Sequence, residues 1–207
     1  MSQNKRPQDH FGRRAKRDGF PARSVYKLEE IDRRIGLIKP GMRVLDLGAS
    51  PGSWTLYAAT RVGPKGKVLG LDIKPHVGAL PPNAEIVVKD VFTVTAADFG
   101  GRGAFDLVIS DMAPNTTGNR SLDQYRSFEL FMHALSIATR VLSPGGSFVG
   151  KIFQGTDFPE AQKAVQKAFE TARVIRPEAT RDVSYEVFLV GHRLKADAAV
   201  DPAAETP

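Results

Sequence analysis

The stretch from Met42 to Trp54, M-R-V-L-D-L-G-A-S-P-G-S-W, restricts the fold more than any other part of the chain. A short apolar run (Val44, Leu45, Leu47) ends in a turn punctuated by Gly48, Pro51 and Gly52, and Ser53 to Thr60 reads as a helix. A buried strand, a glycine loop and a helix start in series form the geometry that nucleotide-type cofactors use. Backbone N–H groups and the positive helix end face the ligand, and glycines allow close approach. The dinucleotide fingerprint G-x-G-x-x-G is absent, because Gly48 and Gly52 stand four apart. Asp46, at the end of the strand, favours a cofactor with a cationic or hydroxyl-bearing part over a pyrophosphate.

The rest of the chain alternates strand and helix. Apolar positions Val25, Leu28, Ile31 and Ile35 have helical spacing, with Gly36 as the stop, and Lys27 lies at the margin of that stripe. Strands are expected at Lys67–Asp72, Glu85–Lys89, Phe105–Ser110, Ser147–Phe153, Arg173–Arg176 and Ser184–Val190. Helices are expected at Ser121–Leu142 and Phe158–Phe169. This alternation predicts an α/β fold with a mostly parallel sheet covered on both faces, in which ligands sit outside the carboxyl ends of the strands. Asp46, Asp72, Asp90 and Asp111 all fall at or just after such ends. Each alone is an ordinary turn or cap residue; four on one rim form a binding edge. Asp72 follows Gly52 by 20 residues, the offset of an acid that accepts from a cofactor ribose. Asp90 is placed to accept from an adenine amino group, and Trp54 either packs on the cofactor or joins the core.

The chain's 207 residues suffice for one α/β domain with a full core. No run is long and apolar enough for a membrane span, and the charged N-terminus does not read as a secretory signal. With no cysteine there are no disulfides or thiolate nucleophiles, which fits the cytoplasm. His10, His76, His133 and His192 lack ligand spacing, so no metal is expected. The net charge of +6 is concentrated at one end: the first 27 residues hold Lys5, Arg6, Arg13, Arg14, Lys16, Arg17, Arg23 and Lys27 against Asp9 and Asp18. A basic arm on a near-neutral domain is the electrostatic footprint of a polyanion partner, while an isolated charge run is more often a solvated tail. Residues 1–21 are expected to be a mobile RNA-binding arm, 22–194 one domain, and 195–207 a disordered tail.

Lys151 and Glu186 each interrupt an apolar strand, V-G-K-I-F and Y-E-V-F. A charge turned into a sheet's interior is costly unless paired, so two opposite charges late in the fold are expected to meet. With Lys27 and Asp111 they match the Lys-Asp-Lys-Glu tetrad of the FtsJ/RlmE-type 23S rRNA ribose 2′-O-methyltransferases, which this chain resembles. The supporting text is R-S-V-Y-K-L-E-E-I-D at 23–32, D-L-G-A-S-P-G-S-W at 46–54, S-D-M-A-P-N at 110–115, P-G-G-S-F-V-G-K-I-F-Q-G at 144–155 and S-Y-E-V-F at 184–188. The resemblance spans about residues 22–192. Ser53 departs from it, standing where the family usually has a second glycine.

The resemblance implies a Rossmann-like class I methyltransferase fold with a seven-stranded, mostly parallel sheet, and S-adenosylmethionine as methyl donor without a metal. It implies cofactor contacts at Gly52, Trp54, Asp72, Asp90 and Asp111, and catalysis by Lys27, Asp111, Lys151 and Glu186. The acceptor it implies is a uridine 2′-hydroxyl in the A loop of 23S rRNA, in the 50S subunit or its late precursor, with a tRNA ribose as the alternative. A cytoplasmic monomer is expected. In the implied mechanism Lys151 positions the acceptor oxygen and takes its proton late, Glu186 holds Lys151, Lys27 orients the ribose or its phosphate, and Arg23, Arg173, Arg176 and Arg181 contact phosphates. Burial and a neighbouring cation favour a neutral lysine, neighbouring carboxylates a charged one.

Overall fold

The structure is a computed structural model that describes residues 9–180, 184–196 and 198. Its elements in chain order are α1 (Asp9–Arg17), α2 (Val25–Ile35), β1 (Arg43–Leu47), α3 (Ser53–Val62), β2 (Lys67–Asp72), β3 (Ala84–Val88), β4 (Phe105–Ser110), α4 (Arg120–Val141), β5 (Leu142–Phe153), α5 (Phe158–Ala168), β6 (Phe169–Ile175) and β7 (Glu186–Leu194). Seven strands form one sheet in the order β3-β2-β1-β4-β5-β7-β6. Every neighbouring pair is parallel except the two made by β7, which runs antiparallel to both β5 and β6.

Both sheet faces are covered, which explains why the central strands read as continuous apolar runs. Successive side chains alternate between faces. Val44, Leu107, Ile109, Val149 and Phe188 point to one side and bury Leu28 and Ile31 of α2 with Trp54 and Ala58 of α3. Leu45, Val108, Phe148 and Leu189 point to the other and bury Phe131, Leu135 and Ala138 of α4 with Val165 of α5. Each fully buried Phe or Leu stabilises the fold by roughly 1.5–3 kcal/mol relative to exposure. Helix α2 stops as the sequence predicts: Gly36 takes the left-handed conformation (φ 61°) and its amide donates to the Asp32 carbonyl at 2.6 Å.

The structure differs from the expectation in four places. Of residues 1–21, expected to be a mobile arm, those from Asp9 to Arg17 form α1, which packs on the start of α2. Ala15 is buried, the Phe11 and Tyr26 rings lie 5.7 Å apart, the Arg14 guanidinium sits 4.2 Å from the Tyr26 ring centre, and the Tyr26 hydroxyl donates to Asp18 at 2.9 Å. Phe11 and Ala15, four apart, give α1 a narrow apolar stripe that its basic composition conceals. Residues 1–8, which include Lys5 and Arg6, lie outside the described residues. Of the expected disordered tail, Lys195 donates to the Gln166 and Lys167 carbonyls (3.1 and 3.0 Å) and Ala198 is buried; 197 and 199–207 lie outside the described residues. Strand β5 begins at Leu142 rather than Ser147, with Gly145 at φ 80° and a register irregularity opposite Phe105–Leu107 absorbing the Ser-Pro-Gly-Gly turn. Strand β6 likewise starts at Phe169, immediately after α5, rather than at Arg173.

Candidate active site

The carboxyl ends of β1, β2, β3 and β4 open onto a cavity of about 610 Å³ lined by Gly48, Ser50, Asp72, Asp90, Phe92 and Asp111, among others. Gly48 makes the sharp turn out of β1 at φ 82°. A Cβ there would stand 2.4 Å from Met112 Cγ, so any other residue would force Met112 to shift. Asp72 accepts from the Ser50 amide (2.9 Å) and the Lys74 amide (2.8 Å), tying the end of β2 to the glycine loop. Asp90 accepts from the Phe92 amide at 3.0 Å as the cap of a short 3₁₀ turn. Each carboxylate keeps further lone pairs for a ligand.

Three of the four rim acids therefore line one cavity, and Asp46 does not. It is fully buried inside β1, on the α3 side, where it accepts from the Thr55 hydroxyl at 2.7 Å. Burial pushes its carboxyl up to about 7; the Thr55 bond opposes that, and the nearby Asp111 and Asp72 charges reinforce it. Its second oxygen has no hydrogen-bond partner, consistent with a carboxyl that retains its proton.

Gly52 and Trp54, expected against the cofactor, are not in the cavity lining. The Trp54 ring turns into the core between α2 and α3, 5.6 Å from the Phe188 ring, and its indole N–H donates to the Ser24 carbonyl at 2.9 Å. At the first turn of α3 its side chain follows the apolar face of the helix rather than the loop. Gly52 caps α3 at φ 104°, where a Cβ would meet the His76 ring at 2.7 Å. Sequence reasoning passed over His76 for want of ligand spacing. In the structure its Nδ1 donates to the Pro51 carbonyl at 3.0 Å, fastening the β2–β3 connection over the glycine loop. Ser53, the departure from the family's glycine, is buried, and its hydroxyl accepts from the Ala22 amide at 2.8 Å, anchoring the segment that leads into α2.

The four tetrad residues converge beside this cavity. Strands β5 and β7 pair Lys151 with Phe188 and Phe153 with Glu186, so Lys151 and Glu186 are diagonal neighbours on the same sheet face. That face is the one covered by α2, and Lys27 reaches it from the first turn of the helix, its Nζ 5.9 Å from the Phe188 ring centre. Asp111 follows the end of β4, next to β5. The pairing corrects one expectation: Glu186 forms its ion pair with Lys27 rather than holding Lys151. Lys151 Nζ instead lies 3.0 Å from Asp111 Oδ1 and donates to the Asp111 carbonyl at 2.5 Å. Lys27, Lys151 and Glu186 are all less than a tenth exposed. Charges this buried persist because they are paired, and removing one partner of such a pair costs roughly 3–5 kcal/mol.

The expected phosphate contacts are dispersed. Arg173 lies beside Ile35, at the far end of α2 from Lys27. Arg176 donates to the Ser184 carbonyl at 2.8 Å, just before β7, and Arg181 lies outside the described residues.

Comparison with known proteins gives the family. Residues 20–194 match the model of the FtsJ-like methyltransferase family. A protein of Sorangium cellulosum named ribosomal RNA large subunit methyltransferase E is 52% identical over 192 residues, covering 93% of this chain and 90% of its own. One of the same name from Oleidesulfovibrio alaskensis is 48% identical over 191 residues, covering 90% and 92%. Among solved structures, a protein of Plasmodium falciparum assigned as a ribosomal RNA methyltransferase superposes with a TM-score of 0.74 at 22% identity, covering 84% of this chain and 98% of its own. A TehB-like SAM-dependent methyltransferase of Corynebacterium glutamicum gives 0.54 at 18% identity, covering 87% and 93%. The sheet is thus the Rossmann-like one of SAM-dependent methyltransferases. With the family match spanning every acid of the rim and all four tetrad residues, the chain belongs to the FtsJ-like methyltransferases.

Proposed function

We propose that this protein transfers a methyl group from S-adenosylmethionine to a ribose 2′-hydroxyl of large-subunit ribosomal RNA, a uridine of the A loop in 23S rRNA. The observation that carries this reading is the sharing of Asp111 between two sites: it lines the cofactor-sized cavity and holds Lys151 of the tetrad. The donor and acceptor sites therefore meet at one residue.

The cavity fits that donor. Asp72 offers acceptor oxygens to ribose hydroxyls, Asp90 to an adenine amino group, and Asp111 a carboxylate to the cationic end, over the backbone of Gly48–Ser50. When bound, S-adenosylmethionine supplies an activated methyl on a sulfonium. The rest is done by side chains of this chain. A lysine ammonium has three donors; Lys151 gives one to the Asp111 carbonyl and lies 3.0 Å from its carboxylate, which leaves donors for an acceptor oxygen. There it fixes the 2′-oxygen for in-line attack and, after giving one of its own protons to solvent, takes the hydroxyl proton late in the reaction. Lys27, steadied by Glu186, orients the ribose or its phosphate.

RNA is met by charge as well. Helix α1 exposes Arg13, Lys16 and Arg17 and packs against Tyr26, the residue before Lys27. A basic helix docked beside a catalytic residue supports a polyanionic substrate and predicts affinity that falls with salt. The reading places the protein in the cytoplasm, as a monomer acting on the large subunit or its late precursor.

Incubating the purified protein with radiolabelled S-adenosylmethionine and large subunits from cells lacking it tests this function. Label on a single 23S rRNA ribose supports it; label confined to tRNA, or to a base, overturns it.

A further inference from the structure

Immediately before Glu186, at the mouth of the tetrad, the structure holds a pair of side chains that the proposed chemistry does not use. The guanidinium of Arg120 lies 5.1 Å from the centre of the Tyr185 ring. Both partners are fixed from behind. The Tyr185 ring meets Phe153 edge to face at 4.9 Å, and its carbonyl accepts from the Gln154 amide at 2.9 Å. Arg120 opens α4, whose first turn is pinned twice. Gln124 donates to the Gln154 carbonyl at 2.5 Å, and Asp123 accepts from the amide and hydroxyl of Thr117 at 2.8 and 2.9 Å. Those bonds hold the Asp123 carboxyl below the usual carboxylate range. Arg120 itself is exposed, and among the described residues no carboxylate pairs with it.

A guanidinium held over a ring leaves its outer side to solvent. Being planar and weakly hydrated, that face suits another flat π-system rather than an anion alone. Single-stranded RNA is recognised by stacking bases on aromatic rings and on arginine planes. Tyr185 directly precedes Glu186, and its carbonyl is bonded to Gln154, three residues beyond Lys151, so the shelf lies on the α4 side of the same sheet edge that carries the tetrad. We propose that Arg120, braced by Tyr185, is the stacking shelf for the base of the acceptor nucleotide. This rests on the ribose-methylation reading and adds to it the residue that receives the base.

The test combines methyl transfer with RNA binding. Steady-state constants are measured for the wild-type protein and for R120A, R120K, Y185A and Y185F on undermodified large subunits. Binding of a short A-loop RNA is followed by fluorescence anisotropy. R120A and R120K are both expected to raise KM for RNA about 10-fold, with kcat and cofactor affinity carrying little of the loss. Y185A follows them, and Y185F recovers most of the affinity lost in Y185A. On an RNA with an abasic acceptor nucleotide, R120A and wild type bind alike. Recovery of wild-type KM in R120K, or a difference that survives on the abasic RNA, makes Arg120 a phosphate contact and overturns the shelf. Failure of the wild-type protein to methylate contradicts the ribose reading instead, and the anisotropy series still decides for or against the shelf.

Discussion

The two halves of the site are built on opposite principles. On the cofactor side, under β1 to β3, each acid is held by backbone amides close by: Asp72 by Ser50 and Lys74, Asp90 by Phe92. On the acceptor side, at β4, β5 and β7, charges hold one another across long stretches of chain, Lys27 with Glu186 and Lys151 with Asp111. Amide-held carboxylates are pre-formed locally and tolerate loss of a neighbour. A network of opposed charges depends on every member, because each loss strands a buried partner. Substitutions on the acceptor side should therefore cost turnover, and those on the cofactor side should cost affinity.

The sharpest way to break that contrast is at Lys151. Lys151→Ala should lower kcat by about 10³-fold or more, with the cofactor dissociation constant, measured by titration calorimetry, near wild type. A comparable loss of cofactor affinity would merge the two halves into one. Next comes the second ion pair. Lys27→Ala and Glu186→Ala should each lower turnover about 10–100-fold, and the double variant should lose much less than the product of the two. Full additivity in that kinetic cycle would show that the pair does not act as a unit.

On the other side, Asp72→Asn should weaken cofactor binding about 10-fold, since a charge-assisted hydrogen bond is worth roughly 1.5–3 kcal/mol, and should leave RNA affinity unchanged in anisotropy. The smallest effect on the site's chemistry is expected at Asp46, where the change is read in stability. Its folded pKa, about 7, is above the unfolded value, so the unfolded state ionises first as pH rises from about 4. The wild type loses stability across the window from 4 to 7 and no further above it. Asp46→Asn removes that loss, so its Tm relative to wild type should climb by about 8–16 °C between pH 4 and 7. A flat difference would mean that burial does not hold the proton on Asp46.

This contrast also sets what could be read from the chain. Strand, glycine loop, helix and rim acid are local patterns, so β1, Gly48, Asp72 and Asp90 were legible from composition and spacing alone. The tetrad was visible as charges in the wrong place, yet which carboxylate met which lysine was not. Sequence parity gives the face of a strand but not the reach of Lys27 from a helix on that face. The side chain of Trp54 was left open between cofactor and core because a residue flanking a cofactor loop can turn either way, and the space between α2 and α3 takes its ring. Ser53 stood out only as a departure from the family's glycine and His76 not at all, because their partners, the Ala22 amide and the Pro51 carbonyl, are backbone groups. Helix α1 was missed because one Phe and one Ala carry its docking while its basic residues dominate the composition.

The central claim is that Lys151, held by Asp111, drives transfer to one ribose of the large-subunit RNA. It is tested most directly by mapping 2′-O-methylation across 23S rRNA in cells lacking this protein, complemented with the wild type or with Lys151→Ala. One A-loop uridine should lose its methyl group without the protein, regain it with the wild type and stay bare with the variant. Restoration by Lys151→Ala, or a complete methylation map in its absence, would contradict the account.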